Sequence, residues 1–600
     1  MPKLSPSGRL IAAISRTDDT HYALILIDLQ ARSTQPLIKA PYLSVLQFWW
    51  KSDELLVAMV QENLTTRTYR AVNLRTKKVD DMKDLMPNGA RLLDRLPDDP
   101  DHMLVGLPPD WSKRVSVVNA YFPISDIARL NLRKGQMDDL EQSPPGGNRW
   151  LVNRAGELVG VWCYNSSQWY LDWRRSPKDK WQRIEHPKGE PVPWEPVGVA
   201  PDQHRFVVYK YKQTEFIRTC LLDPATGVIE EVPGPAGLDV DATGTWGDAE
   251  KIAVVRYDGE GNNLRFLDPE AEEVYGWLGA IFPGVRINCA SFSHDDRQII
   301  VRVSNTQNPG VYYLVDRQTR KATPIGVEYT GINPNVMVPS REFHLAASDG
   351  LSLTGRITLP ARVGKPPLVL IVGPGVNSRA PTGFDLLAQF FANRGYAAAY
   401  VNHRGTAGFG RAFGLAGDLQ ITTGMGRDLV EGVRWLADQG LIDSKRVALF
   451  ANGPGGLLAL LLAENPGVFR TLVAYNPPLD LSGWQPNDLL ERENRSDSEL
   501  MAAAGGQKAF ESYLKTLDSV VAVGQLTVPA FFYFPRLSDN LAPANIGKLE
   551  SALKQRGQPY QLVIGNSRSS WNSDDNGAYP EWKDDARIFD EIGAFLDKNL

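Results

Sequence analysis

The sequence predicts two domains of different class: a seven-bladed β-propeller over residues 1–328, then a doubly wound α/β domain with a mostly parallel sheet over residues 329–600. Three observations predict this. A β-type unit recurs seven times at a nearly constant interval. The texture then changes to alternating apolar strands and amphipathic helices. Within the second half, one fully apolar strand runs through a glycine-rich turn directly into a helix.

Each unit of the first half opens with a polar turn and continues into apolar residues. The instances are SPSGRLIAAIS from Ser5, KSDELLVAMV from Lys51, DPDHMLVGL from Asp99, NRAGELVGVW from Asn153, APDQHRFVVYKY from Ala200, GDAEKIAVVRY from Gly247 and SHDDRQIIVRV from Ser293. Their first apolar pairs are Leu10-Ile11, Leu55-Leu56, Met103-Leu104, Leu158-Val159, Phe206-Val207, Ile252-Ala253 and Ile299-Ile300, separated by steps of 45, 48, 55, 48, 46 and 47 residues. A strand-then-turn partner follows most of them, as in ILIDLQARS, AVNLRTKK, RLNLRKGQ, CLLDPATG, RFLDPEAE and YLVDRQTR. A period of about 47 residues with several strands per unit is that of a propeller blade. Stacked β-sandwiches are the rival reading, and the even spacing without longer linkers argues against it.

After about residue 330, PPLVLIV (366–372) reads as a buried parallel strand. FDLLAQFFANRG has helical spacing and stops at Gly395, and YAAAYVN is the next strand. MGRDLVEGVRWLADQG (425–440) places Leu429, Val433 and Leu436 on one helical face. RVALF is a strand, GGLLALLLAENP a helix, and FRTLVAYN, VPAFFYFP and YQLVIGN three further strands. ARIFDEIGAFLDKNL closes the chain as an amphipathic helix. Alternation of this kind builds a doubly wound open sheet.

Composition narrows the function. The net charge of -5 comes from 65 basic and 70 acidic residues with no basic block, which argues against nucleic acid as a partner. No stretch of about 18 uncharged apolar residues offers a membrane span. MPKLSPSGRL lacks the features of a signal peptide, so a cytoplasmic location is expected, with a processed periplasmic or secreted chain as the alternative. Cys163, Cys220 and Cys289 lie far apart and suit neither a metal knuckle nor a disulfide scaffold. HExxH and P-loop motifs are absent, and Asp574-Asp575 is too isolated for a metal site, so neither metal nor cofactor is expected.

Several motifs resemble the prolyl oligopeptidase family of serine peptidases (family S9, including dipeptidyl and acylaminoacyl peptidases). They are ASDG (347–350), ANRGYAAAYVNHRGTAGFGRAF (392–413), GRDLVEGVRWLADQGLIDSKRVALFANGPGG (426–456) and FRTLVAYNPPLDLSGW (469–484). The resemblance spans nearly the whole chain and implies a seven-bladed β-propeller joined to a C-terminal α/β-hydrolase domain. It also implies where a Ser-Asp-His triad would stand. The nucleophile position falls on Gly453, within Ala451-Asn452-Gly453-Pro454-Gly455-Gly456, where the elbow motif needs G-x-S-x-G. The acid position falls on Ser538 by counting from the preceding strand, or on Asp539 by counting back from Pro543; Asp539 is either a retained acid or a turn residue. The base position falls near Ser569, and no histidine follows His403. His403 itself is expected to be a structural or surface residue. Gly373, Gly375, Asn452 and Pro454 are the remnant of the oxyanion loop, and the backbone N–H of Gly373 or Gly375 is expected to be able to face a bound anion.

With nucleophile and base positions lost, the expected function is a catalytically inactive pseudopeptidase. It would bind a peptide or protein partner at the interface of propeller and hydrolase domain that the resemblance implies. The alternatives are a hydrolase with residual or rewired activity through Asp539 or His403, and a structural or assembly protein.

Overall fold

The computed structural model describes residues 1–16, 22–38, 44–61, 67–87, 89–108, 126–165, 168–188, 192–211, 214–257, 259, 263–361, 364–463, 467–481, 484, 497–536, 543–565 and 582–600. The chain divides into two compact units, Met1–Val303 with Gly310–Glu328, and Ser304–Pro309 with Tyr329–Leu600.

The first unit is a seven-bladed propeller of seven small antiparallel sheets. Blade one spans Lys3–Ile38, blade two Ser44–Asp81, blade three Arg91–Gln142 and blade four Gly147–Glu185. Blade five spans Trp194–Glu231, blade six begins at Val240, and blade seven spans Arg286–Val327. Every apolar pair in the repeat lies on or beside the second strand of its blade, such as Leu55–Gln61, Leu158–Asn165 and Gln298–Ser304. The reason is the two-residue period of a strand, which sends successive side chains to opposite faces. Each second strand is buried on both. Leu158 packs into the seam with blade three and Val159 into the seam with blade five; Ile299 faces blade six and Ile300 faces blade one. Adjacent blades therefore share separate apolar seams. All three cysteines are buried, and burial pushes the Cys163 thiol to about 12, Cys220 to about 11 and Cys289 to about 12, so they are inert core residues.

Blade six departs from the repeat. Among the described residues it has three strands, and the segment after Leu264–Phe266 is a helix, Pro269–Ile281. Asp268 caps it by accepting from the N–H groups of Glu270 and Ala271, and Pro269 occupies the first turn, where no N–H is needed. Ala271, Val274 and Leu278 bury its inner face.

The second unit carries an eight-stranded sheet: β1 Ser340–Ala346, β2 Ser352–Thr358, β3 Leu368–Val372, β4 Ala397–Asn402, β5 Val447–Asn452, β6 Thr471–Tyr475, β7 Ala530–Pro535 and β8 Tyr560–Gly565. Their order is β1-β2-β4-β3-β5-β6-β7-β8, with β1 and β2 antiparallel and β4 onward parallel. The sequence reading begins this domain at residue 329, but its first strand is β3 and it misses the hairpin β1–β2. Helices α1 (Leu386–Asn393), α2 (Gly426–Asp438) and α3 (Gly455–Leu462) connect the central strands, and α4 (Trp582–Asn599) follows β8. The sheet has a core on each face, one around Leu370, Leu449, Leu472 and Phe532 and the other around Val369, Phe450, Val473 and Phe531. Strands buried on both sides read as continuous apolar runs. The segment Ser304–Pro309 joins this unit through buried Gln389 of α1. Its Nε2 donates to the carbonyls of Thr306 (3.0 Å) and Val338 (2.7 Å), and its Oε1 accepts from Val338 N–H (3.1 Å).

Two predictions follow from these contacts. Gln389→Leu leaves two partly buried carbonyls and an N–H without this partner and is expected to lower stability by about 2–4 kcal/mol in denaturant titration; an unchanged midpoint would refute the clamp. In blade three, His102 Nδ1 meets Asp99 at 3.0 Å and Nε2 meets Asp138 at 3.2 Å. The Asp99 hydrogen bond, only partly opposed by burial and reinforced by Asp138, raises the His102 pKa. A group raised in the folded state contributes fully below its unfolded value, about 6.5, and loses that contribution as pH rises through the folded value. The Tm difference between the protein and His102→Asn should be largest at low pH and shrink as pH rises; a constant difference between about pH 5 and about pH 9 would contradict this.

Candidate functional site

The site is built where β5 meets α3. β5 is central in the sheet and all six of its residues are buried. The chain turns through Gly453 and Pro454. Gly453 has φ +55°, a left-handed conformation that costs an L-residue about 1–2 kcal/mol and glycine almost nothing. Its N–H donates to the Tyr475 carbonyl (2.9 Å), and its carbonyl accepts from Gly456 N–H (2.8 Å). Gly455 is demanded by close approach, since a Cβ there would stand 1.9 Å from the Gly373 carbonyl oxygen. Strand, tight turn and helix are those of a nucleophile elbow, with glycine at the apex.

The loop leaving β3 covers this apex. The Pro374 carbonyl accepts from Gly455 N–H at 3.2 Å, and a Cβ on residue 453 would lie 3.0 Å from that same oxygen. Gly375 N–H donates to Ser378 Oγ (2.7 Å), and Ser378 N–H returns to the Gly375 carbonyl (3.1 Å). The loop is anchored to the end of β4, where Asn402 Oδ1 accepts from Ala380 N–H (2.8 Å) and Ala407 N–H donates to the Asn377 carbonyl (2.9 Å).

An oxyanion hole on this fold draws one N–H from the residue after the nucleophile and another from the loop after β3. Residue 454 is proline and has no N–H. Of the two N–H groups expected to be able to face an anion, that of Gly375 is engaged by Ser378 Oγ of its own loop. Of the other remnant residues, Gly373 packs its carbonyl on Gly455, and Asn452 is buried at the end of β5. The missing donor at Pro454 was readable in the sequence; the engagement of Gly375 was not, since Ser378 is set opposite it only by the loop fold.

His403 is buried, 4 % exposed. Its Nδ1–H donates to the Arg404 carbonyl at 2.7 Å, and burial lowers its pKa, so the ring is held neutral. It sits beside an ion pair that organises this segment. Arg404 meets Asp428 of α2 through Nε (2.9 Å), Nη2 (2.7 Å) and its backbone N–H (2.8 Å), and reaches Asp349 at 2.8 Å. The Asn-His-Arg-Gly segment is thus a structural joint between β4, α2 and the turn after β1. Ser538, Asp539 and Ser569 lie outside the described residues, as do Asp574 and Asp575. The strands leading to the acid and base positions, β7 and β8, follow β5 and β6 in the sheet. Among the described residues, no group of three His, Cys, Asp or Glu could hold a metal ion, and no helix is long and apolar enough to cross a membrane.

Residues 382–577 match the family model described as the prolyl oligopeptidase family. The chain is 26 % identical over 399 residues to dipeptidyl aminopeptidase BIII of Pseudoxanthomonas mexicana, covering 62 % of this chain and 58 % of that protein. It is 27 % identical over 430 residues to the human acylamino-acid-releasing enzyme, covering 62 % and 56 %. The matched part thus spans a little over half the length of these relatives. Among solved structures, a Mycobacterium tuberculosis puromycin-hydrolyzing peptidase superposes with a TM-score of 0.70 at 15 % identity, covering 100 % of this chain and 94 % of that one. A Pyrococcus horikoshii acylaminoacyl peptidase superposes with a TM-score of 0.65 at 13 % identity, covering 100 % and 95 %. These two solved peptidases therefore share the two-domain fold of this chain.

Gly453→Ser is expected to fold with a loss of about 1–2 kcal/mol, from the left-handed φ, and to remain unlabelled by a fluorophosphonate probe. Labelling at residue 453 would mean that a base and oxyanion donors survive around the apex.

Proposed function

We propose that this chain is a catalytically inactive relative of the prolyl oligopeptidase family, a pseudopeptidase that binds a peptide or protein partner. The observation that carries the reading is the elbow: a glycine at its apex, a proline after it, and a carbonyl oxygen facing it. Acyl transfer needs a nucleophile, a base to take its proton, and donors for the developing oxyanion. Residue 453 has no side chain to attack with, and residue 454 has no N–H to give. No histidine follows His403 to take the place of the base. The Pro374 carbonyl would repel an oxyanion rather than stabilise it.

The eight-stranded sheet and the elbow geometry around this altered centre support a reading in which the chain still binds a ligand. Relatives named for aminopeptidase activity and for acylamino-acid release favour a ligand with a peptide backbone. The test is mass spectrometry on the purified chain incubated with a complex peptide mixture. Intact peptides retained by the protein, without products that grow with time, are expected. Products that increase with time and protein concentration would overturn the proposal in favour of a rewired hydrolase.

A further inference from the structure

Ion pairs cross the axis of the propeller. Blade three and blade six stand on opposite sides of the seven-membered ring, with blades four and five between them on one side and seven, one and two on the other. Asp94 of blade three nevertheless meets Lys251 of blade six at 2.8 Å, and Arg95 meets Asp248 at 2.5 Å. Asp248 also takes His294 of blade seven at 2.9 Å. The four residues of the Asp94–Lys251 and Arg95–Asp248 pairs are largely buried, between 9 and 16 % exposed.

The backbone between them is a strap. The innermost strand of blade three ends at Asp94 after four residues. Leu96 adopts φ +50° and tucks between blades three and four beside Leu104 and Leu158. A leucine in that conformation is strained and needs support from its surroundings. Lys51 of blade two supplies it, with Nζ donating to the carbonyls of Arg95 (2.6 Å) and Leu96 (2.7 Å). Blades two, three, four and six thus all hold residues 94–96.

The ring has reason to need this. Among the described residues no blade is completed by strands from both ends of the chain: all of blade one comes from residues 3–38 and all of blade seven from 286–327. Their seam rests on Leu4 N–H to Ser291 Oγ (2.9 Å), His294 N–H to the Pro6 carbonyl (2.7 Å) and a small apolar cluster. Without strand sharing, contacts across the axis add to this seam in resisting opening.

We propose that Asp94–Leu96 is a charge latch that shuts one end of the propeller axis and holds the ring closed. The propeller is then a cup, blind at the face of the turns between first and second strands, and admits no peptide through that end.

Charge exchange in the full chain tests the latch. Asp94→Lys and Lys251→Asp should each lower Tm by several degrees, and the double variant should recover most of the loss, because only contacting charges rescue one another. The neutral variant Asp94→Asn keeps the protein folded for hydrogen exchange. It should speed exchange of the Leu96 and Asp99 amides and of the His294 amide at the seam by about tenfold or more, leaving blade five unchanged. Single effects that add without rescue, or exchange at the seam that does not respond, would overturn the proposal.

Discussion

The tight passage from β5 into α3 constrains everything around the candidate site. The turn is made in two residues, so its apex takes a positive φ and its helix begins against the loop after β3. Gly455 lets the Gly373 carbonyl come into contact distance, and that contact brings Pro374 over the apex. From there the loop is set by its own hydrogen bonds and by Asn402 at the end of β4. A catalytic fold uses such a turn to lift a nucleophile toward waiting donors. Here the same turn lifts a glycine toward an acceptor. The fold fixes the backbone of the turn and leaves the chemistry to the side chain at its apex, so fold similarity by itself says little about turnover.

The surrounding domain does not depend on that chemistry. Its sheet is buried on both faces, and its buried Arg404 and Asp428 satisfy each other in three hydrogen bonds. A bidentate pair of this kind is costly to break on one side, since the survivor is left charged and unpaired. It joins β4 to α2 and, through Asp349, to the hairpin β1–β2. The motif that carries the family resemblance in this stretch therefore has a structural reason to persist whatever happens at the elbow.

The propeller was legible because its repeat is physical. A second strand buried between two neighbours must be apolar at consecutive positions, and the seven apolar pairs are those strands. Blade six shows where such reading stops. LDPEAE was read as a turn like the others, yet Asp268 with Pro269 is equally the start of a helix, and the apolar spacing of Ala271, Val274 and Leu278 decides for the helix. The hairpin β1–β2 was missed for a different reason: its alternating pattern in SREFHLA is short and half-polar, and it becomes a strand by pairing with β2 rather than by its own preference.

By itself the sequence determined the number of blades, the succession of strands from β3 onward in the second domain, the glycine at residue 453 and the proline without an N–H beside it. Each follows from local period or from the covalent structure of one residue. Only tertiary structure decided that Gly375 N–H serves Ser378, that His403 is enclosed beside an ion pair, and that Asp94 and Arg95 find their partners across the ring. Those are encounters between residues distant in sequence, and no local pattern encodes which carbonyl, hydroxyl or charge the fold will bring opposite.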